Sequence, residues 1–255
     1  MLSQEKELTG LKVIFFLFGL SIMSWVPRFP EVKANLGLSN GEFGSLISLG
    51  VFGNVAALLT VGHLVHKFGA QLMMRVSTLA LSTSIIILTQ TSSSFVFLIF
   101  MIIQGAGISA FHISINAQGF NFQDRTKKQV ITLLSGYWSS GALLTSVIAG
   151  ILVDLVSIEI HIAVLSILCL IIMLQTISTM TPNLLKSNEN PESDVKLGEI
   201  FKGFNFDMMV SGGLLCAIML EFAVSDWSAI FLKEDLGILS GIHTLPFILF
   251  TFTMI

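Results

Sequence analysis

Two carboxylates, Glu221 and Asp226, stand in "LEFAVSDWSAIFLKEDLG", a run that is otherwise almost wholly apolar. An ionised side chain at the centre of a bilayer costs at least about 2.5–3.5 kcal/mol on insertion scales, so it is expected to border a wet cavity or a partner. At such depth Glu221 can take up a coupling proton or accept hydrogen bonds from a polar solute; the alternative is a neutral carboxyl bonded to a neighbouring helix. Asp226 lies five residues on, which in a regular α-helix is about 140° further round. The two are therefore not expected on one narrow stripe, and Asp226 suits a gate or a helix end, with Arg28 as its candidate partner. Gln104, His112 and Asn116 recur at spacings of eight and four. On a helix that makes a polar flank, drifting only about 40° per four residues. It reads as a substrate-facing stripe or as a set of interhelical hydrogen bonds. Asn54, in another apolar run, carries the same two readings. Trp138, beside Tyr137, Ser139 and Ser140, can stack on the apolar face of a sugar or simply pack.

The elements that must hold these groups are read from composition. Hydrophobic residues make up 53% of the 255 and charged residues only 11%, against about 25% charged in soluble domains. This is an all-α membrane protein. A net charge of −3 gives no basic face for nucleic acid. Cys169 and Cys216 sit singly in apolar runs, so neither a metal site nor a disulfide framework is expected. Windows of about 20 apolar residues, the length that crosses a bilayer, recur eight times: 11–26, 43–65, 72–89, 95–118, 130–152, 160–180, 208–232 and 241–255. The last ends at "FILFTFTMI" without a polar flank.

Orientation follows from the 13 Lys and Arg residues. Lys6, Lys12, Lys67, Arg75, Arg125, Lys127, Lys128, Lys186, Lys196 and Lys202 fall on one side, and Arg28, Lys33 and Lys233 on the other. Ten against three places the N-terminus in the cytoplasm. The polar stretch 181–207 divides a six-helix bundle (1–180) from the start of a second bundle (208–255), and its "VKLGEIFKGF" can lie as an amphipathic helix on the inner surface. An internal echo joins the two parts. Trp25 matches Trp227, and Leu36 and Gly37 match Leu236 and Gly237 at the same topological place, as two parallel repeats about a central site would produce. In the first copy "SNGE", Ser39 to Glu42, reads as a capping box.

Taken with these features, "GHLVHKFGAQ" resembles the loop of the major facilitator superfamily, with Gly62, Lys67 and Gly69 in register. His66 stands where that family usually has Asp, and Ala70 and Gln71 where it has basic residues. "ISINAQG", "YWSSGAL" and "EFAVSDWSAIFL" are similar to a bacterial inner-membrane branch related to fucose and other sugar porters. The drug and proton antiporter branch fits less well, since Met101 and Ile151 replace its Arg and Pro. The resemblance implies a bundle of twelve helices, so the chain is expected to be C-terminally truncated by about four. It implies a multi-pass, monomeric secondary transporter of a small polar solute, with a proton and the bilayer as partners and Gly62, Lys67 and Gly69 as a conformational loop. No GxxxxGK[ST] loop occurs, and no cofactor is expected. Two other classes are a sensor or scaffold that kept the fold without transport, and an intramembrane hydrolase with Ser139 or Ser140 as nucleophile and His112 as base.

Overall fold

The computed structural model describes residues 4–180, 207–238 and 241–253. The expected linker 181–206, with Lys186, Lys196, Lys202 and the amphipathic stretch, lies outside the described residues. Among the described residues the chain is helical, with no strand. α1 (Gln4–Ile22) leads through a 3₁₀ turn (Val26–Arg28) into α2 (Phe29–Leu36); α3 (Asn40–Ser48) and α4 (Gly50–Phe68) follow, then α5 (Ala70–Gln90), α6 (Ser94–Thr126), α7 (Ile131–Leu152) and α8 (Ile158–Thr179). After the linker come α9 (Met208–Phe222), two π-helical turns (Ala223–Trp227 and Phe231–Asp235) around a short α turn, a 3₁₀ turn (Gly241–Thr244) and α10 (Leu245–Thr253). Among the described residues seven segments are long and apolar enough to cross a membrane; Gly241–Thr253, the eighth expected span, is a shorter apolar helix. Because successive spans alternate in direction, one end of the bundle carries the start of α1 (the near end) and the other carries α2 (the far end).

Local signals set the boundaries. Ser39 caps α3 through the expected box: its hydroxyl accepts from the Glu42 N–H, and the Glu42 carboxylate accepts from the Ser39 N–H at 2.9 Å. The second span is not continuous but breaks at Leu49, ahead of Gly50. The connection "GHLVHKFGAQ" is not a loop: α4 runs through Gly62 and Lys67 to Phe68, and the turn is Gly69 alone, at φ 86°. A residue with φ above zero suits glycine, which has no Cβ to clash. His66 and Lys67 sit in the last turn of α4, where positive charge suits the free carbonyls. Gln71 donates to Ile177 O at 2.6 Å, tying α5 to the end of α8.

One apolar core joins α1, α5, α6, α7 and α8 around Phe18, Phe111, Ile115 and Met173. A second lies at the far end, where Trp25, Phe29, Phe43 and Phe97 pack together with Ile230 and Phe247 of the later segment. Trp25 is 5% exposed, so it is a core residue. Outward faces are apolar instead: Phe52, Leu58, Ile160 and Ile171 are all largely exposed, as lipid contact requires. Where helices touch closely, the contact residue is glycine. A Cβ on Gly53 would lie 1.8 Å from Ile102 O, one on Gly105 2.2 Å from Gly50 O, and one on Gly141 2.0 Å from Phe16 O.

Candidate functional site

The later segment meets the first six spans at the far end. Lys33 of α2 is buried and its ammonium reaches both Asn40 and Glu234. The Trp227 ring closes on Gly44, where a Cβ would come within 2.8 Å of it. The Gly241 N–H donates to Asp154 at 3.0 Å, and Ser146 and Thr251 hydroxyls stand 3.4 Å apart. Towards the near end these contacts give out. No residue of α9 is buried, and within it only Ser211 and Glu221 are better than exposed. The two parts thus close at one end and stand apart at the other. The echo has a structural counterpart here: Gly37 and Gly237 adopt the same left-handed conformation, φ 65° and 67°.

Between the closed and open ends, α4 and α6 present polar groups. Gly50, Gly53 and Gly105 let the two helices meet backbone to backbone, which brings the half-buried Asn54 to Ser109: the serine hydroxyl donates to Asn54 Oδ1 at 3.1 Å. One turn on, Asn116 Nδ2 lies 3.3 Å from His112 Nδ1 and donates to His112 O at 2.9 Å. The His112 ring is exposed and leans on Phe18 of α1, centroids 6.2 Å apart. Asn54, Ser109, His112 and Asn116 therefore make one set of donors and acceptors beside α1. Gln104 does not join it. The drift of about 40° per four residues doubles over eight, and Gln104 is turned into the packed interior, 2% exposed with neither amide atom partnered among the described residues. Ser109, three residues before His112, is the member the sequence reading missed.

The carboxylates stand differently from the α-helical expectation. Glu221 is half-buried and Asp226 lies in the π turn that follows. With i→i+5 hydrogen bonding, a residue five further on returns towards the same side, so the π turn Ala223–Trp227 carries Asp226 back towards the side of Glu221. The Arg28–Asp226 pair is not formed. Arg28 is fully buried, with Glu31 at 2.7 Å, Val156 O at 2.8 Å and His161 Nδ1 at 3.3 Å. Carbonyls after a helix C-terminus lack intrahelical donors, and the end of α7 captures the guanidinium. Trp138 is half-buried against the first core, with its carbonyl facing Gly19. The hydrolase constellation does not assemble: Ser140 donates to Gly136 O at 2.8 Å, while the His112 ring faces Asn116. Lys67 packs over the Phe68 ring at 5.2 Å, and Gly62 has open space around it.

Comparison with known proteins settles the family. The profile described as Major Facilitator Superfamily matches residues 12–255. The chain belongs to the Major Facilitator Superfamily. Within the MFS it is 23% identical over 253 residues to "Membrane protein MosC" of Rhizobium meliloti, covering 99% of this chain and 60% of that protein. It is 24% identical over 230 residues to an uncharacterized MFS-type transporter of Yersinia pestis, covering 89% and 57%. The fold matches crystal structures of the nucleoside transporter NupG, its D323A mutant at TM-score 0.73 with 14% identity over 97% of this chain and 64% of that one, and the unsubstituted protein at 0.72. This MFS chain spans about three fifths of the length of the curated relatives it matches.

Proposed function

We propose that the chain acts in secondary transport of a small polar solute by alternating access. The observation that carries this is the hydrogen-bonded set Asn54–Ser109 and His112–Asn116 on α4 and α6, in a bundle closed at the far end and open at the near end. Amides and an imidazole supply both donors and acceptors, which suits hydroxyl-bearing solutes such as a sugar or a nucleoside. Two helical parts meeting only at one end suit rocking about a central site. The bias of Lys and Arg supports a cytoplasmic near end in an inner membrane. Glu221, half-buried and one π turn before Asp226, is the candidate group for proton coupling, with Trp138 lining the path; Arg28 and Lys67 hold helix ends. The residues matching the family loop, Gly62, Lys67 and Gly69, would flex at the near end.

Reconstitution into proteoliposomes with an imposed proton gradient tests this. Accumulation of a radiolabelled hexose or nucleoside, lost in Asn54→Leu and in Asn116→Leu, is expected. Equal flux in those variants and the unsubstituted protein would remove the polar set from the solute path. Gradient-driven uptake that persists unchanged in Glu221→Gln would remove the coupling role.

A further inference from the structure

The second span is held in different ways on the two sides of Leu49. Below the break, α4 and α6 cross backbone to backbone: a Cβ on Gly50 would lie 3.3 Å from Met101 O, one on Gly53 1.8 Å from Ile102 O and one on Gly105 2.2 Å from Gly50 O. With no side chain between them to rearrange, the start of α4 cannot shift without α6. Above the break, α3 buries only Phe43 among its nine residues. That ring sits 5.6 Å from Phe29 and 6.0 Å from Phe97, and Leu46 and Ile47 rest partly buried on the same far-end core. Two further pins come from outside the span. The Trp227 ring lies on Gly44, and Asn40 accepts from the Lys33 ammonium, whose other partner is Glu234. Both pins therefore lead to the later segment.

α3 is also built to move as a unit. Its cap is internal, since Ser39 and Glu42 satisfy each other's groups, so no other element has to hold its first turn. It joins α2 through Gly37 at φ 65°, where the lack of a Cβ leaves the turn unstrained. At its other end the helical ladder is disturbed. The Ser45 and Ser48 hydroxyls turn back on the Gly41 and Gly44 carbonyls at 2.7 and 2.8 Å, a pattern that bends helices. The Leu49 N–H is shared between Ser45 O and Leu46 O, both at 3.3 Å, and the Phe52 N–H donates to Leu49 O at 3.2 Å. Such three-residue steps inside a span are where hinges form.

We propose that α3 is a gate helix, hinged at Leu49–Gly50, which swings off the far-end core when Trp227 and Lys33 release it, while α4 stays locked to α6. The far end then opens by bending within the first six spans, in addition to any rocking of the two parts. That the bend admits a solute rests on the transport reading; the bend itself does not.

Spin labels on the full chain in lipid nanodiscs, in a background without Cys169 and Cys216, test this. A label at Ser92→Cys, exposed ahead of α6, is paired with one at Gly41→Cys, which has open space around it, to follow α3. The reference pair joins Ser92→Cys to Leu58→Cys on the outward face of α4. Trp227→Ala with Asn40→Ala removes both outside pins. The distances between positions 41 and 92 should then show a displaced population raised about 5- to 30-fold relative to the docked one, and those between 58 and 92 should stay as they were. Unchanged distances between 41 and 92 overturn the proposal. An equal shift of the reference pair also overturns it, because the span would then move as one rod. Should the double variant fail to fold, unchanged distances between 41 and 92 in both Asn40→Ala and Gly44→Ala, whose Cβ would press on the Trp227 ring at 2.8 Å, overturn it equally. A displaced α3 in a protein that carries no flux would count against transport and leave the gate standing; flux with α3 fixed would do the reverse.

Discussion

Glu234→Gln should loosen the far end. Lys33 is 9% exposed at its side chain and Glu234 34%, so the pair is shielded on one side and wet on the other. A charge-assisted hydrogen bond contributes about 1.5–3 kcal/mol, and partial solvent screening brings that towards about 1–2 kcal/mol. Lys33 keeps Asn40 as a neutral acceptor, so the ammonium is not stranded and the fold should survive. A change of one or two kcal/mol moves a two-state population by a factor of about 5–30. The assay is the distance between spin labels on Ala34→Cys and Asp235→Cys, both exposed far-end positions, in a background without Cys169 and Cys216. Glu234→Gln should add a longer-distance population, and Lys33→Glu with Glu234→Lys should reduce it again. Identical distance distributions for the unsubstituted protein and Glu234→Gln would refute the reasoning, because the pair would then bear none of the closure.

Other outcomes follow from single contacts. Gly53→Ala and Gly105→Ala would drive a Cβ into a facing carbonyl at 1.8 Å and 2.2 Å; a loss of about 1–3 kcal/mol of stability each is expected, read as a lower midpoint of thermal unfolding, while Gly62→Ala, with open space around it, should leave the midpoint unchanged. Arg28→Met strands Glu31 and the carbonyls of Val153 and Val156 and should cost about 3–5 kcal/mol; Arg28→Lys should recover little, since one ammonium cannot reproduce the planar fork, and thermal unfolding in detergent reads both. Ser109→Ala removes the donor to Asn54 and should weaken solute binding about tenfold or less while changing stability, followed by thermal unfolding, by no more than about 1 kcal/mol.

Much of the architecture was legible because the bilayer enforces it. Apolar length and the bias of Lys and Arg identify spans without any knowledge of packing, and the Ser39–Glu42 cap is a local chemical pattern. The site was legible only where an α-helical wheel holds. His112 and Asn116, one turn apart, stayed together; Gln104, two turns further back, rotated into the interior. Asp226 was misplaced relative to Glu221 because the π turns at Ala223–Trp227 and Phe231–Asp235 break the 3.6-residue period, and no residue in "AVSDW" announces that. Arg28 was assigned an acidic partner by charge alone. Its actual partners include backbone carbonyls at the end of α7, which no side-chain pattern reveals. The Lys33–Glu234 pair spans 201 positions, and only the Leu36/Leu236 and Gly37/Gly237 echo hinted that these stretches meet. Lys12 was read as a charge on the N-terminal flank, whereas the helix starts earlier and carries it inward.

The central claim is that the polar face of α4 and α6 opens towards the end bearing the N-terminus and is shut off from the other. Labelling of His112→Cys, in a chain without Cys169 and Cys216, with a membrane-impermeant maleimide from each side of sealed vesicles measures this directly. Reaction from the N-terminal side alone is the predicted result. Reaction from the opposite side alone, or with a lipid-soluble maleimide only, would contradict it.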